Sequence, residues 1–139
     1  MSTDPASVTT GIQVNLFFRD IDRAAEFYVA LGFPVVFSAP TDPIDAATEH
    51  IEVEAGGTRI GLTSVEAANR IASLGVVAGT PVSSELVFWC DDVDRMFQTA
   101  LDAGATQLAA PRDSPDGRIR YGWALDPESH QLKFVAPRT

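Results

Sequence analysis

A single cysteine, Cys90, stands in this chain of 139 residues. That excludes an internal disulfide and any cysteine-rich zinc site, and it points to a reducing compartment. Basic residues are scarce: ten Lys and Arg against nineteen Asp and Glu leave a net charge of -9. A chain this acidic repels phosphate backbones and anionic lipid, which predicts no nucleic-acid partner and no membrane partner and favours a cationic guest. No apolar run approaches the ~20 residues that a spanning helix needs. Met1–Thr10 lacks a basic start followed by an apolar stretch, so no signal peptide is expected. The expectation is a soluble cytoplasmic protein. Hydrophobic residues at 45% and charged residues at 21% are ordinary for a globular chain, which argues against disorder. The length suits one domain over 1–139.

Residues 1–10 read as a loose tail. Ile12–Phe18 alternates as a strand, with Val14, Leu16 and Phe18 on one face and Gln13, Asn15 and Phe17 on the other. Asp20 is a candidate N-cap for a helix running to about Leu31, and Gly32 is placed to stop it. Phe33–Ser38 is β-prone, and Ala39–Ala46, with two prolines, reads as a loop. Glu49–Ala55 and Thr58–Thr63 flank Gly56-Gly57 as a hairpin. Ser64 caps a short helix to Leu74, and Gly75–Pro81 is a linker.

The second half repeats the first. Asp20 falls on Asp92, an offset of 72 residues, and the same offset carries Asp22 to Asp94, Arg23 to Arg95 and Gly32 to Gly104. Strands are expected at Ser83–Cys90, Thr106–Ala110, Arg118–Leu125 and Gln131–Ala136, with a helix over Asp92–Ala103. The chain therefore reads as module one (about 12–63), a linker and short helix (64–81) and module two (about 82–137). The fold class is α+β: two tandem βαβββ modules whose mixed sheets curl into a half-barrel, or cup, with the helices outside.

One unit has a single helix to cover one face of a four-stranded sheet, so its other face is left to line the cup, the kind of concavity where small ligands bind. Strand parity assigns the sides. Val14, Leu16, Phe18, Ile51, Val53, Ile60, Leu62, Leu86, Phe88, Leu132 and Phe134 face the helices. Gln13, Asn15, Phe17, Arg59, Gly61, Thr63, Glu85, Val87, Trp89, Gln131, Lys133 and Val135 face the cup. Phe17 and Trp89 occupy equivalent positions, and paired aromatics there suit a flat or cationic ring. Phe27, Tyr28, Tyr121 and Trp123 are expected in the core. Cys90 reads as a buried small residue, His50 as a solvated histidine and His130 as a turn histidine.

Four segments carry a resemblance: Phe18–Arg23 with Phe27-Tyr28; Leu31-Gly32-Phe33; Cys90–Asp94; and Asp126-Pro127-Glu128-Ser129-His130. In order and spacing the chain resembles the vicinal oxygen chelate superfamily, which contains glyoxalase, bleomycin-resistance proteins and extradiol dioxygenases. The resemblance implies a homodimer, in some relatives with exchanged halves. It also implies where a divalent metal would sit: seven residues before each helix-opening Asp, at Gln13 and Glu85, and seven after Asp126, at Lys133, whose repeat equivalent is Gly61. One good donor, one weak one, a glycine and a cation do not make a metal site. No metal and no cofactor is expected, and Glu85 and Lys133 are expected on adjacent strands as a salt bridge or as ligand contacts.

Beside a non-binding scaffold or regulatory partner whose cup is plugged by side chains, two functions stay open. One is a metal-independent small-molecule binding protein of the bleomycin-resistance (antibiotic-binding) type, holding a planar or cationic aromatic compound on Phe17 and Trp89 with Gln13, Asn15, Arg59, Glu85 and Lys133, and with no catalytic residues. The other is a metal-dependent lyase, isomerase or oxidoreductase of the glyoxalase or dioxygenase type with displaced ligands, using His50 or Glu52.

Overall fold

The computed structural model describes residues 13–40, 47–78 and 84–138. The expected tail, Ile12 of the first strand, most of the 39–46 loop, the end of the 75–81 linker and Ser83 lie outside the described residues.

Eleven elements follow in the order β1 (Val14–Phe18), α1 (Ile21–Ala30), β2 (Val35–Ala39), β3 (His50–Ala55), β4 (Thr58–Ser64), α2 (Val65–Ala72), β5 (Glu85–Trp89), α3 (Val93–Asp102), β6 (Thr106–Asp113), β7 (Ile119–Leu125) and β8 (Gln131–Pro137). The repeat is visible in how the helices begin and end. Asp20 accepts a hydrogen bond from the Arg23 N–H at 3.1 Å, and Asp92 does the same for Arg95 at 3.1 Å. Each carboxylate satisfies a donor that the first helical turn leaves without a partner. After each helix a glycine takes the left-handed conformation, Gly32 at φ 99 and Gly104 at φ 115, which a β-carbon would oppose.

The strands form two four-stranded sheets, ordered β1-β4-β3-β2 and β5-β8-β7-β6. In each, the first strand pairs in parallel with the last, with Val14 opposite Ile60 in one and Leu86 opposite Leu132 in the other. Both members of the second pair lie 72 residues beyond those of the first, so the register carries the duplication as the sequence does. The sheets are not closed, and the architecture is that of two tandem βαβββ modules forming a curved sheet.

The helix-facing set is buried as alternation requires: Leu16, Phe18, Ile51, Val53, Ile60, Leu62, Phe88, Leu132 and Phe134 share one core with Ile21, Tyr28, Val93 and Phe97. Fully burying an aliphatic or aromatic side chain of this kind stabilises by about 1.5–3 kcal/mol. The core spans both modules. Phe33 meets Phe88 with ring centroids 5.2 Å apart, and Phe18 meets His130 at 4.5 Å. Val14 is the departure from its expected side: it is 45% exposed, because β1 is a sheet edge and Val14 opens onto the seam between the modules.

Several boundaries differ from expectation, among them that of β2, which begins at Val35 rather than Phe33. β6 runs on past Ala110 to Asp113, accommodating Pro111 by register shifts on either side of Ala109, which is how an edge strand tolerates a residue without an N–H. α2 stops at Ala72, where Ser73 turns left-handed at φ 52. Among the described residues no helix is long and apolar enough to cross a membrane.

Candidate functional site

The open face of the first sheet carries one connected polar cluster. Gln13, the residue before β1, donates from Nε2 to Asn15 Oδ1 at 3.0 Å and to Glu52 Oε2 at 3.2 Å. Glu52 lies on β3, and its Oε2 is 2.9 Å from His50 Nε2. His50 Nδ1 in turn is 2.9 Å from Thr63 Oγ1. Arg59 donates to Glu52 Oε1 at 3.1 Å. The cluster depends on Gly61, which lies opposite Asn15 on one side and Glu52 on the other. A β-carbon at Gly61 would sit 1.9 Å from Asn15 Oδ1 and 2.8 Å from His50 Cε1, so the glycine leaves the space those side chains fill. The His50 hydrogen bond does most to hold the Glu52 carboxyl below its ordinary range; Gln13 and Arg59 add to it, and partial burial opposes them.

The open face of the second sheet is built differently. Glu85 on β5 accepts a hydrogen bond from Gln131 Nε2 at 2.6 Å. Lys133 stands on the adjacent strand β8, opposite Val87. Among the described residues no ion pair joins it to Glu85. Its Nζ instead lies 5.4 Å from the ring centroids of both Tyr121 and Trp123, while the Arg112 guanidinium lies 5.9 Å from Trp123. The two rings are 4.7 Å apart, tilted by 47°. Cations placed over aromatic faces in this way are attracted by the ring quadrupole.

This arrangement corrects the expectation that Tyr121 and Trp123 belong to the core. Both are half-buried on the open face, and the residues of β7 turned to the helices are the buried Gly122 and Ala124. Parity counted along 120–124 carries the signal. Aromatics on one side and small residues on the other left the packed side ambiguous, and only the pairing of Trp123 with Lys133 settles it. Phe27 and Tyr28 are core residues, as expected.

Of the seven residues expected to bind a ligand, Gln13, Asn15 and Arg59 are therefore drawn together around Glu52. Glu85 and Lys133 stand on neighbouring strands with separate partners. Phe17 is half-buried, and Trp89 is 67% exposed. Arg59 and Trp89 also line a cleft of about 540 Å³ at the seam between the modules. His50 is a member of the polar cluster, which goes beyond the solvated histidine expected of it. His130 is held in its turn by Asp126, with Nδ1 2.9 Å from Oδ2. Cys90 is half-buried and donates to the Val135 carbonyl at 3.6 Å; burial pushes its thiol up, away from thiolate chemistry.

The donor chemistry does not suit a resident divalent ion. The four positions implied by the resemblance read Gln13, Gly61, Glu85 and Lys133, with an ammonium group, which has no lone pair to give, where a metal needs a donor. Among the described residues no group of three His, Cys, Asp or Glu gathers elsewhere.

Residues 12–134 match the family described as the Glyoxalase/Bleomycin resistance protein/Dioxygenase superfamily. The chain belongs to that superfamily. Solved structures agree with the fold of this superfamily member. A hypothetical protein from S. aureus superposes with a TM-score of 0.75 at 18% identity, over 93% of this chain and 94% of that one. A glyoxalase/bleomycin resistance protein/dioxygenase family enzyme from Burkholderia phytofirmans gives 0.71 at 25% identity, over 89% and 95%. A lactoylglutathione lyase from Agrobacterium tumefaciens gives 0.65 at 17% identity, over 93% and 95%, a likeness of fold alone. An uncharacterized curated protein of Mycobacterium bovis is 43% identical over 61 residues, which is 44% of this chain and 38% of that protein's length.

Proposed function

We propose that this superfamily member binds a planar aromatic small molecule on its open sheet faces without a metal, as an antibiotic-sequestering protein does. The observation that supports the reading is Lys133. It occupies a position where the resemblance implies a metal-donating ligand such as His or Glu, and it lies over the faces of Tyr121 and Trp123. Together these form a shelf for a flat ring, with an ammonium donor for a carbonyl or phenolate on it. Phe17 and Trp89 extend the aromatic surface. Gln13, Asn15, Arg59 and Glu85 supply polar contacts, and the Glu52 and Glu85 carboxylates provide the counter-charge for a cationic substituent.

Each sheet offers half a concave site, and apolar side chains stand exposed on both open faces, Phe37 at 41% on the first and Trp89 on the second. A homodimer that sets the open face of one module against that of another would cover them and complete the cup. The acidic balance and the single half-buried thiol fit a cytoplasmic setting.

Titration of tryptophan emission with glycopeptide, mitomycin-like and aromatic cationic compounds, with and without EDTA, tests the proposal. Saturable quenching that EDTA leaves unchanged, and that Lys133→Ala weakens by about tenfold, is expected, an effect the size of an ordinary binding hot spot. About one equivalent of zinc, nickel, manganese or iron in protein purified without chelator, or EDTA-sensitive turnover, would overturn it. Light scattering reads the dimer directly.

One observation favours an enzyme instead. Glu52, His50 and Thr63 form a carboxylate–imidazole–hydroxyl chain with both links at 2.9 Å, a relay suited to moving a proton. EDTA-insensitive turnover lost in His50→Ala would select that reading.

A further inference from the structure

The two ends of the seam between the modules are built from equivalent residues, yet one end is closed and the other open. At the closed end, His130 packs against Phe18 at 4.5 Å, Glu128 takes the backbone N–H groups of Arg19 and Asp20 at 2.7 and 2.8 Å, and Pro127 lies 3.9 Å from where a Gly104 β-carbon would be. The 72-residue repeat maps these three onto Ala55, Gly56 and Thr58, each of them smaller. The β-carbon position at Gly32, which corresponds to Gly104, has nothing within 4 Å. Beside the smaller Ala55, Gly56 and Thr58 opens the cleft of about 540 Å³, lined mostly by apolar side chains, Trp89 among them, with Arg59 the only charge among its lining residues.

We propose that this cleft is a second binding site, for an apolar carboxylate. Its volume falls within the range that encloses small ligands. Its walls, among them Phe33, Ile60 and Met96, offer burial to an aliphatic or aromatic body. Arg59, one of the lining residues, gives one guanidinium nitrogen to Glu52 at 3.1 Å and makes no other hydrogen bond among the described residues, which leaves N–H groups that a carboxylate head would take. A net charge of -9 draws cations to the molecule as a whole, so a preference for the anion can come only from this local cation.

The test uses the 139-residue chain carrying Trp123→Phe, which leaves Trp89 as the single tryptophan, titrated with decanoate and with decyltrimethylammonium. Decanoate is expected to shift Trp89 emission to the blue and to saturate, binding at least fivefold more tightly than the cation. Arg59→Gln should remove that preference. Thr58→Phe, at an exposed strand start where the other end carries His130, should weaken decanoate at least tenfold by filling the space. Preference for the cation, no saturation, or full affinity retained in Thr58→Phe would each overturn the proposal. If affinity survives Thr58→Phe but falls in Lys133→Ala, decanoate sits on the sheet face, which overturns the cleft site and leaves the planar-ligand reading standing.

Discussion

Glu52 accepts from Gln13, His50 and Arg59 at once, and this sets how the molecule responds to acid. Its carboxyl titrates below the ordinary value of about 4.3, so the folded state holds the ionised form more tightly than the unfolded chain does. The stability this contributes is fully present above the unfolded value and is lost as pH falls through the lower folded one. Asp94, held down by Arg120, and Asp113, held down by Arg138 and Arg120, act in the same direction. Denaturant midpoints measured from pH 7 to pH 3 should therefore fall steeply below about pH 4.5, and Glu52→Gln should flatten part of that fall and lower the midpoint at pH 7. An unchanged profile would show that the cluster carries no coupling. Gly61 acts on the same cluster by its size. Gly61→Ala would force the exposed Asn15 aside and press on the half-buried His50 ring, which is held at both nitrogens, so the cost should be about 1–3 kcal/mol. The altered contacts should appear as shifted Gln13 and Asn15 side-chain amide resonances together with a lowered melting temperature.

Between elements, the turn from Asp126 to His130 does for α1 what a helix normally arranges within its own first turn. Glu128 satisfies the backbone N–H groups of Arg19 and Asp20 at the helix start, the service that a glutamate inside the helix renders in a capping box. α3 has no such help from the first module, because the repeat equivalent of Glu128 is Gly56. Glu128→Ala should cost about 1–2 kcal/mol and loosen α1 more than α3, read as faster amide exchange over 19–24 than over 91–96. The elements themselves were legible in the sequence, because alternation along 12–18 and 49–63, helical spacing along 21–31 and the 72-residue offset all point one way. Gln13, Asn15, Arg59, Glu85 and Lys133 were legible as open-face residues for the same reason. The contacts they make were not. Lys133 is drawn to Tyr121 and Trp123 rather than to Glu85, a choice between neighbours that parity alone cannot make. The duty of Glu128 spans 108 residues of chain, and no local pattern announces it.

Across the molecule, the same turn holds the modules together through a buried polar link. Tyr28 in α1 donates to Asp126 Oδ2 at 2.7 Å, and Asp126, fully buried, also accepts the Glu128 and His130 N–H groups at 2.9 Å each. No buried side-chain polar atom among the described residues lacks a partner, so removing one here leaves a real deficit. Tyr28→Phe should cost about 1–2 kcal/mol, toward the lower end for a hydrogen bond to a charged group because Asp126 keeps its other donors. The denaturant midpoint should fall with an unchanged slope. Burial first, and then the Asp126 charge and hydrogen bond, push the Tyr28 hydroxyl well above its ordinary value of about 10. A group raised in the folded state contributes stability that is present below the unfolded value and lost as pH climbs above it. In a Tyr121→Phe chain, where Tyr28 is the single tyrosine, absorbance at the phenolate band should stay flat through pH 10 and rise only with unfolding. A smooth titration near 10 with the fold intact would mean that the link is open to water and does not bind the modules.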